Sequence, residues 1–138
     1  MSQSKSQYES ERWWFTAQDD LDAAKILHEA GKYSHACFLS QQSAEKAVKA
    51  LWFSIDSDPW GHSIQKLVVD FPRKNMFQSV HEWLANAGYL DKFYIPARYP
   101  NGLPDLTPGQ VYFSQDSEQA IKKAEFFLEQ TRKLFKSS

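Results

Sequence analysis

The stretch Tyr33–Ile55, YSHACFLSQQSAEKAVKALWFSI, decides the fold. Tyr33, Ala36, Cys37, Ser40, Ala44, Ala47, Val48, Leu51 and Ile55 recur within it every three or four residues. That spacing puts them on one stripe of a long helix, from about 32 to 55. Most of these side chains are small, so a neighbouring helix can approach closely. Phe38, Glu45 and Trp52, seven apart, mark a second and partly apolar edge that another helix or another subunit could cover.

Outward toward the N-terminus, Trp13, Ala17, Ala24 and Leu27 repeat at helical spacing until Gly31, with Ser10 as N-cap and Glu11 in the first turn. This predicts a helix over about 11–30. Residues 1–10 are polar and are expected to be disordered, because they bury too little surface to offset the entropy of ordering. Toward the C-terminus, Ile64, Leu67, Val68 and Phe71 mark a short helix stopped by Pro72, and Val80, Trp83, Leu84 and Ala87 a fourth. The segment 96–109 holds four of the six prolines and two of the five glycines, so it reads as a long ordered loop. After Asp116 and Ser117, Ala120, Ile121, Ala124, Phe127, Leu128, Thr131, Leu134 and Phe135 give the last helix its apolar stripe. No alternating strand pattern competes. The fold class is all-α: an antiparallel bundle of about five helices, one domain over 11–136, with a Pro-rich loop before the last helix.

At 138 residues the chain is sized for one core. Sixteen basic against 17 acidic side chains leave a net charge of -1, without the basic excess of a protein that coats nucleic acid. A local basic cleft remains compatible with that balance. Cys37 is the sole cysteine, which excludes an internal disulfide and thiolate-rich zinc sites. The polar start MSQSKSQYESER lacks the apolar core of a secretory signal, and no window approaches the ~18 apolar residues of a membrane span. The expectation is a cytoplasmic protein without membrane contact.

Several of these stretches, read together, resemble the HEPN domain: WFTAQDDLDAA (14–24), GKYSHACFLSQQSAEKAVKAL (31–51), Gly61-His62-Ser63-Ile64 with Leu67, and Ala97-Arg98-Tyr99-Pro100 followed by Tyr112. The resemblance spans roughly 11–135. It implies a helical bundle that commonly forms homodimers, binds nucleotide or RNA, and in many short prokaryotic members partners a minimal nucleotidyltransferase in a toxin-antitoxin pair. Other branches are ribonucleases with an R-x(4-6)-H motif. That motif is missing here: the arginines are 12, 73, 98 and 132, the histidines 28, 35, 62 and 81, and Arg73 to His81 has seven residues between.

The side-chain chemistry singles out Arg98-Tyr99-Pro100. Arginine offers a planar fork for phosphate, tyrosine a face for a base, and proline a fixed turn. Tyr94 and Tyr112 are candidates for the same pocket, and Lys46 for a phosphate contact, whereas Glu45 and Lys49 form an i,i+4 helix pair. Two readings of Arg98 stay open: an anion-binding residue, or a loop anchor paired with Asp19 or Asp20. Asp19 and Asp22 share a helix face but do not make a metal site. The histidines lack a metal-binding spacing, His62 reads as a cap of the third helix, and Cys37 as a buried inert thiol. Gly-rich phosphate loops are absent, and no cofactor is implied. The functional expectation is a nucleotide- or RNA-binding homodimer using Arg98, Tyr99, Tyr94, Tyr112 and Lys46. The alternatives are a metal-independent ribonuclease toxin using Arg98 with His62, and a ligand-free scaffold.

Overall fold

Small residues set the architecture. Ala17, Ala24, Ala36, Ala44, Ala47, Ala120 and Ala124 are all fully buried, so three long helices pack with close axes. They are α1 (Lys5–Glu29), α2 (Tyr33–Ser54) and, at the end of the chain, α6 (Ser114–Ser137). Between α2 and α6 come α3 (Ile64–Val69), α4 (Val80–Asp91) and the single turn α5 (Pro108–Val111). The computed structural model describes residues 4–137, and among them there is no strand.

The antiparallel pairing of α1 and α2 is recorded in buried hydroxyls. Ser10 Oγ donates to the Ala50 carbonyl at 2.8 Å and Ser43 Oγ to the Ala17 carbonyl at 2.7 Å, so one helix runs down as the other runs up. Gly31, at φ 79°, makes the tight connection. α2 lies between α1 and α6. Opposite them, Ile64, Leu67 and Val68 of α3 and Trp83, Ala87 and Leu90 of α4 close the core, and Trp83 meets Phe77 and Phe127 edgewise or tilted.

Four readings are changed or decided. α1 starts at Lys5, not near 11: Ser4 Oγ accepts from the Gln7 amide and Gln7 reaches back to the Ser4 amide, a capping box that the Ser10 reading overlooked. Residues 4–10 are thus ordered, while 1–3 lie outside the described residues. The edge formed by Phe38, Glu45 and Trp52 is covered by the chain itself. Trp52 packs on Phe71 and donates its indole N–H to the Leu67 carbonyl, and Phe38 meets Tyr94. The proline-rich segment, read as a long ordered loop, holds a 3-10 turn at Pro100–Gly102 and runs into the helical turn α5, each begun by a proline. Lastly, His62 does not cap α3. Ser63 accepts from the Lys66 amide, and the Asp91 carboxylate takes the amides of Ile64 and Gln65 at 2.8 and 3.0 Å.

Candidate functional site

The segment after α4 continues in turns that carry Tyr94 and Arg98 one helical step apart, so both side chains project from one side. Arg98 Nε donates to the Tyr94 carbonyl at 2.7 Å. Its guanidinium carbon lies 4.4 Å from the ring centre of Phe38, 4.6 Å from Tyr94 and 4.9 Å from Tyr99. Three rings therefore surround the guanidinium, and the ring quadrupoles favour the cation there. No carboxylate among the described residues comes within ion-pairing distance of it, and its terminal nitrogens donate to none of them. Arg98 does not pair with Asp19 or Asp20, but through Phe38 it ties the loop to α2. Asp20 instead pairs with Lys46 at 2.6 Å, and Asp19 is exposed.

Tyr94 has a second neighbour. The His62 imidazole stacks on it, 4.9 Å between centres and 17° between planes. Behind His62 stands Glu45, with a side chain 3% exposed against 58% for the imidazole, and His62 Nδ1 lies 3.2 Å from Glu45 Oε2. The same carboxylate receives Lys49 Nζ at 3.0 Å and Gln41 Nε2 at 3.1 Å. Gln42 Nε2 adds a weaker contact at 3.4 Å. Gln41 also donates to the His62 carbonyl at 3.1 Å. A buried polar line on α2, Gln41-Glu45-Lys49, thus ends at an exposed imidazole, and Tyr94 links that imidazole to Arg98.

Of the residues singled out from the sequence, Arg98, Tyr94 and Tyr99 come together, and two do not join them. Lys46 is neutralised by Asp20 across the α1/α2 seam. Tyr112 packs edgewise on Phe93; burial pushes its phenol above the ordinary range, with Cys37 and Asp116 adding to the effect. Its surroundings are those of Cys37, whose thiol burial and Asp116 push up to about 12 from an ordinary value near 9, which leaves it inert. Phe38, Glu45 and Gln41 were missed as site residues. The signal was present: Gln, Glu and Lys at i, i+4 and i+8 on a helix with so long an apolar stripe are costly to bury unless they hold something. Among the described residues no group of three His, Cys, Asp or Glu is placed to hold a metal, and no helix is long and apolar enough to cross a membrane.

The chemistry on offer is a guanidinium for an anion, an imidazole stacked on the same tyrosine, and the half-exposed ring of Tyr99 for a planar group. Similar proteins share the frame. "Putative toxin MJ1304" of Methanocaldococcus jannaschii is 27% identical, over 82% of this chain and 79% of that protein. The crystal structure of TT1696 from Thermus thermophilus superposes with a TM-score of 0.86 at 32% identity, covering 91% of this chain and 97% of that one. That of ST0689, described as an archaeal HEPN homologue, gives 0.74 at 36% identity, covering 89% and 94%. With residues 10–134 also matching the HEPN domain as a family, the chain belongs to the HEPN domain family.

Proposed function

We propose that this chain is a nucleotide- or RNA-binding module that acts as a cytoplasmic homodimer with a nucleotidyltransferase partner, in a toxin-antitoxin-like pair. The observation that carries the binding reading is the Arg98 guanidinium, fixed by Phe38, Tyr94 and Tyr99 and matched by no carboxylate among the described residues. A cation oriented without an internal counter-charge is suited to an external anion, and the rings beside it to a base. Family membership and a relative named as a toxin support the pairing. Titration calorimetry with a nucleotide panel and short oligoribonucleotides tests this. Heat that disappears in Arg98→Ala is expected, and a panel without heat leaves only the ligand-free scaffold.

One observation favours a second reading. Arg98 and His62 both contact Tyr94, and His62 is backed by a buried carboxylate. This is a layout for a metal-independent ribonuclease in which Arg98 stabilises developing phosphorane charge and His62 moves the proton. It requires RNA cleavage in the presence of chelator that is lost in both Arg98→Ala and His62→Ala. Cleavage lost in neither, or no cleavage, leaves the binding module.

A further inference from the structure

A buried indole ordinarily finds an acceptor for its N–H. Trp52 does so on the Leu67 carbonyl. Trp83 is the deeper of the two, 2% exposed, with its ring held among Phe77, Phe126 and Phe127. Its N–H nevertheless donates to no acceptor among the described residues. Nor is that N–H sealed in the core, since the fully covered side-chain polar atom without a partner among those residues is Thr131 Oγ1. It therefore meets solvent, and the opening that Trp83 lines is a cavity of about 220 Å³ between the segment 76–78, α4 and α6.

The other lining residues decide what could enter. Gln130, Lys133 and Leu134 stand at i, i+3 and i+4 on α6 and so share a face, while Met76 and Gln78 come from the segment before α4. The indole and the ammonium can only donate; the two glutamine amides can donate or accept. No carboxylate lines the cavity, and Glu129, the nearest to Lys133 along α6, pairs with Arg132 instead. A ligand must therefore bring acceptor atoms, and one negative charge to match one ammonium. Met76, Leu134 and the indole supply an apolar wall, which suits a short hydrocarbon tail and disfavours a multiply charged phosphate. The volume is below the ~300–1,000 Å³ typical of sites for drug-sized molecules, so the tail has to be small.

We propose that this cavity binds a small aliphatic monocarboxylate, its carboxylate held by the Trp83 indole N–H and Lys133 and its tail laid against Met76 and Leu134. The site shares no residue with the Arg98 cluster, so it stands or falls independently of nucleotide binding there.

The test titrates the intact, nitrogen-labelled protein with butyrate, pentanoate and hexanoate, and with hexanamide, at constant pH and ionic strength. The reporter is the NMR signal of the Trp83 indole N–H, assigned through its contacts with the rings of Phe77 and Phe127. The signal moves with each acid, saturating at about fourfold lower concentration for each added methylene that finds the wall, and stays in place with hexanamide. Lys133→Gln, at an exposed position, removes the preference for hexanoate over hexanamide. Lys122→Gln, the same charge change elsewhere on α6, keeps it. A Trp83 signal unmoved by all three acids overturns the proposal. So does an affinity independent of tail length, an equal response to hexanoate and hexanamide, or a preference that survives Lys133→Gln.

Discussion

Arg98 shows how a single residue separates two roles that look alike in a sequence. Its Nε is used within the chain and three rings lie beside the guanidinium, so the terminal nitrogens are the donors left without a partner among the described residues. Arg98→Ala is expected to weaken nucleotide binding at least about tenfold, the value of charge-assisted hydrogen bonds. Arg98→Lys keeps the charge but not the fork and should recover only part of it; full recovery would show that geometry is irrelevant. Cys37 makes a different prediction. Its thiol is raised to about 12, so the folded state keeps the proton that the unfolded chain gives up near pH 9. Stability is then unaffected below about pH 9 and falls above it at ~1.4 kcal/mol per pH unit until the folded thiol itself ionises. Urea midpoints between pH 8 and 11 should show this fall, less steep in Cys37→Ala, and identical slopes would refute it. Why Lys46 misled is also a matter of single residues. Its ion pair with Asp20 joins positions far apart in the chain, and nothing local announces it.

Among the elements, α2 was the most legible and also hid the most. Its small-residue stripe reads directly as the packed face, and the structure buries every member from Ala36 to Leu51. The line of Gln41, Glu45 and Lys49 is equally periodic, yet a period cannot tell a solvated stripe from a buried one; only the arrival of the loop at His62 settles it. α3 teaches the converse lesson about caps. Its six residues are too few to be stable alone, and Asp91, from the far end of α4, takes two of its first amides and the Ser63 hydroxyl. Asp91→Ala is expected to cost about 1–3 kcal/mol in urea unfolding and to loosen the turn that presents His62. A loss under about 0.5 kcal/mol would mean that Ser63 suffices. The early start of α1 was missed for a related reason. Ser4 and Gln7 form a capping box in a stretch whose composition suggests disorder, and two reciprocal hydrogen bonds outweigh that average.

For the whole molecule, five of the six helices and their order followed from periodicity, the single turn α5 excepted, whereas the site did not, because it is assembled from α2, the turn at 61–62 and the loop after α4. Such convergence is a property of the fold. Part of the aromatic surplus is internal: Trp83 is buried, while Trp13, stacked on Phe53, and Trp14, against Phe135, are half-buried. Trp60 at 85% and Phe113 at 65% stay exposed, and the proposed homodimer would cover such apolar surface. Sedimentation at micromolar concentration should therefore give twice the monomer mass, and a monomer would remove the homodimer from the account. The central claim, that one oriented guanidinium takes an anionic nucleotide, is tested most directly by calorimetric titration of a short oligoribonucleotide into three proteins: wild type, Arg98→Ala, and Lys122→Ala, the last lacking a surface cation on α6. Binding by the wild type and Lys122→Ala but not by Arg98→Ala is the predicted result; equal heats in all three would contradict it.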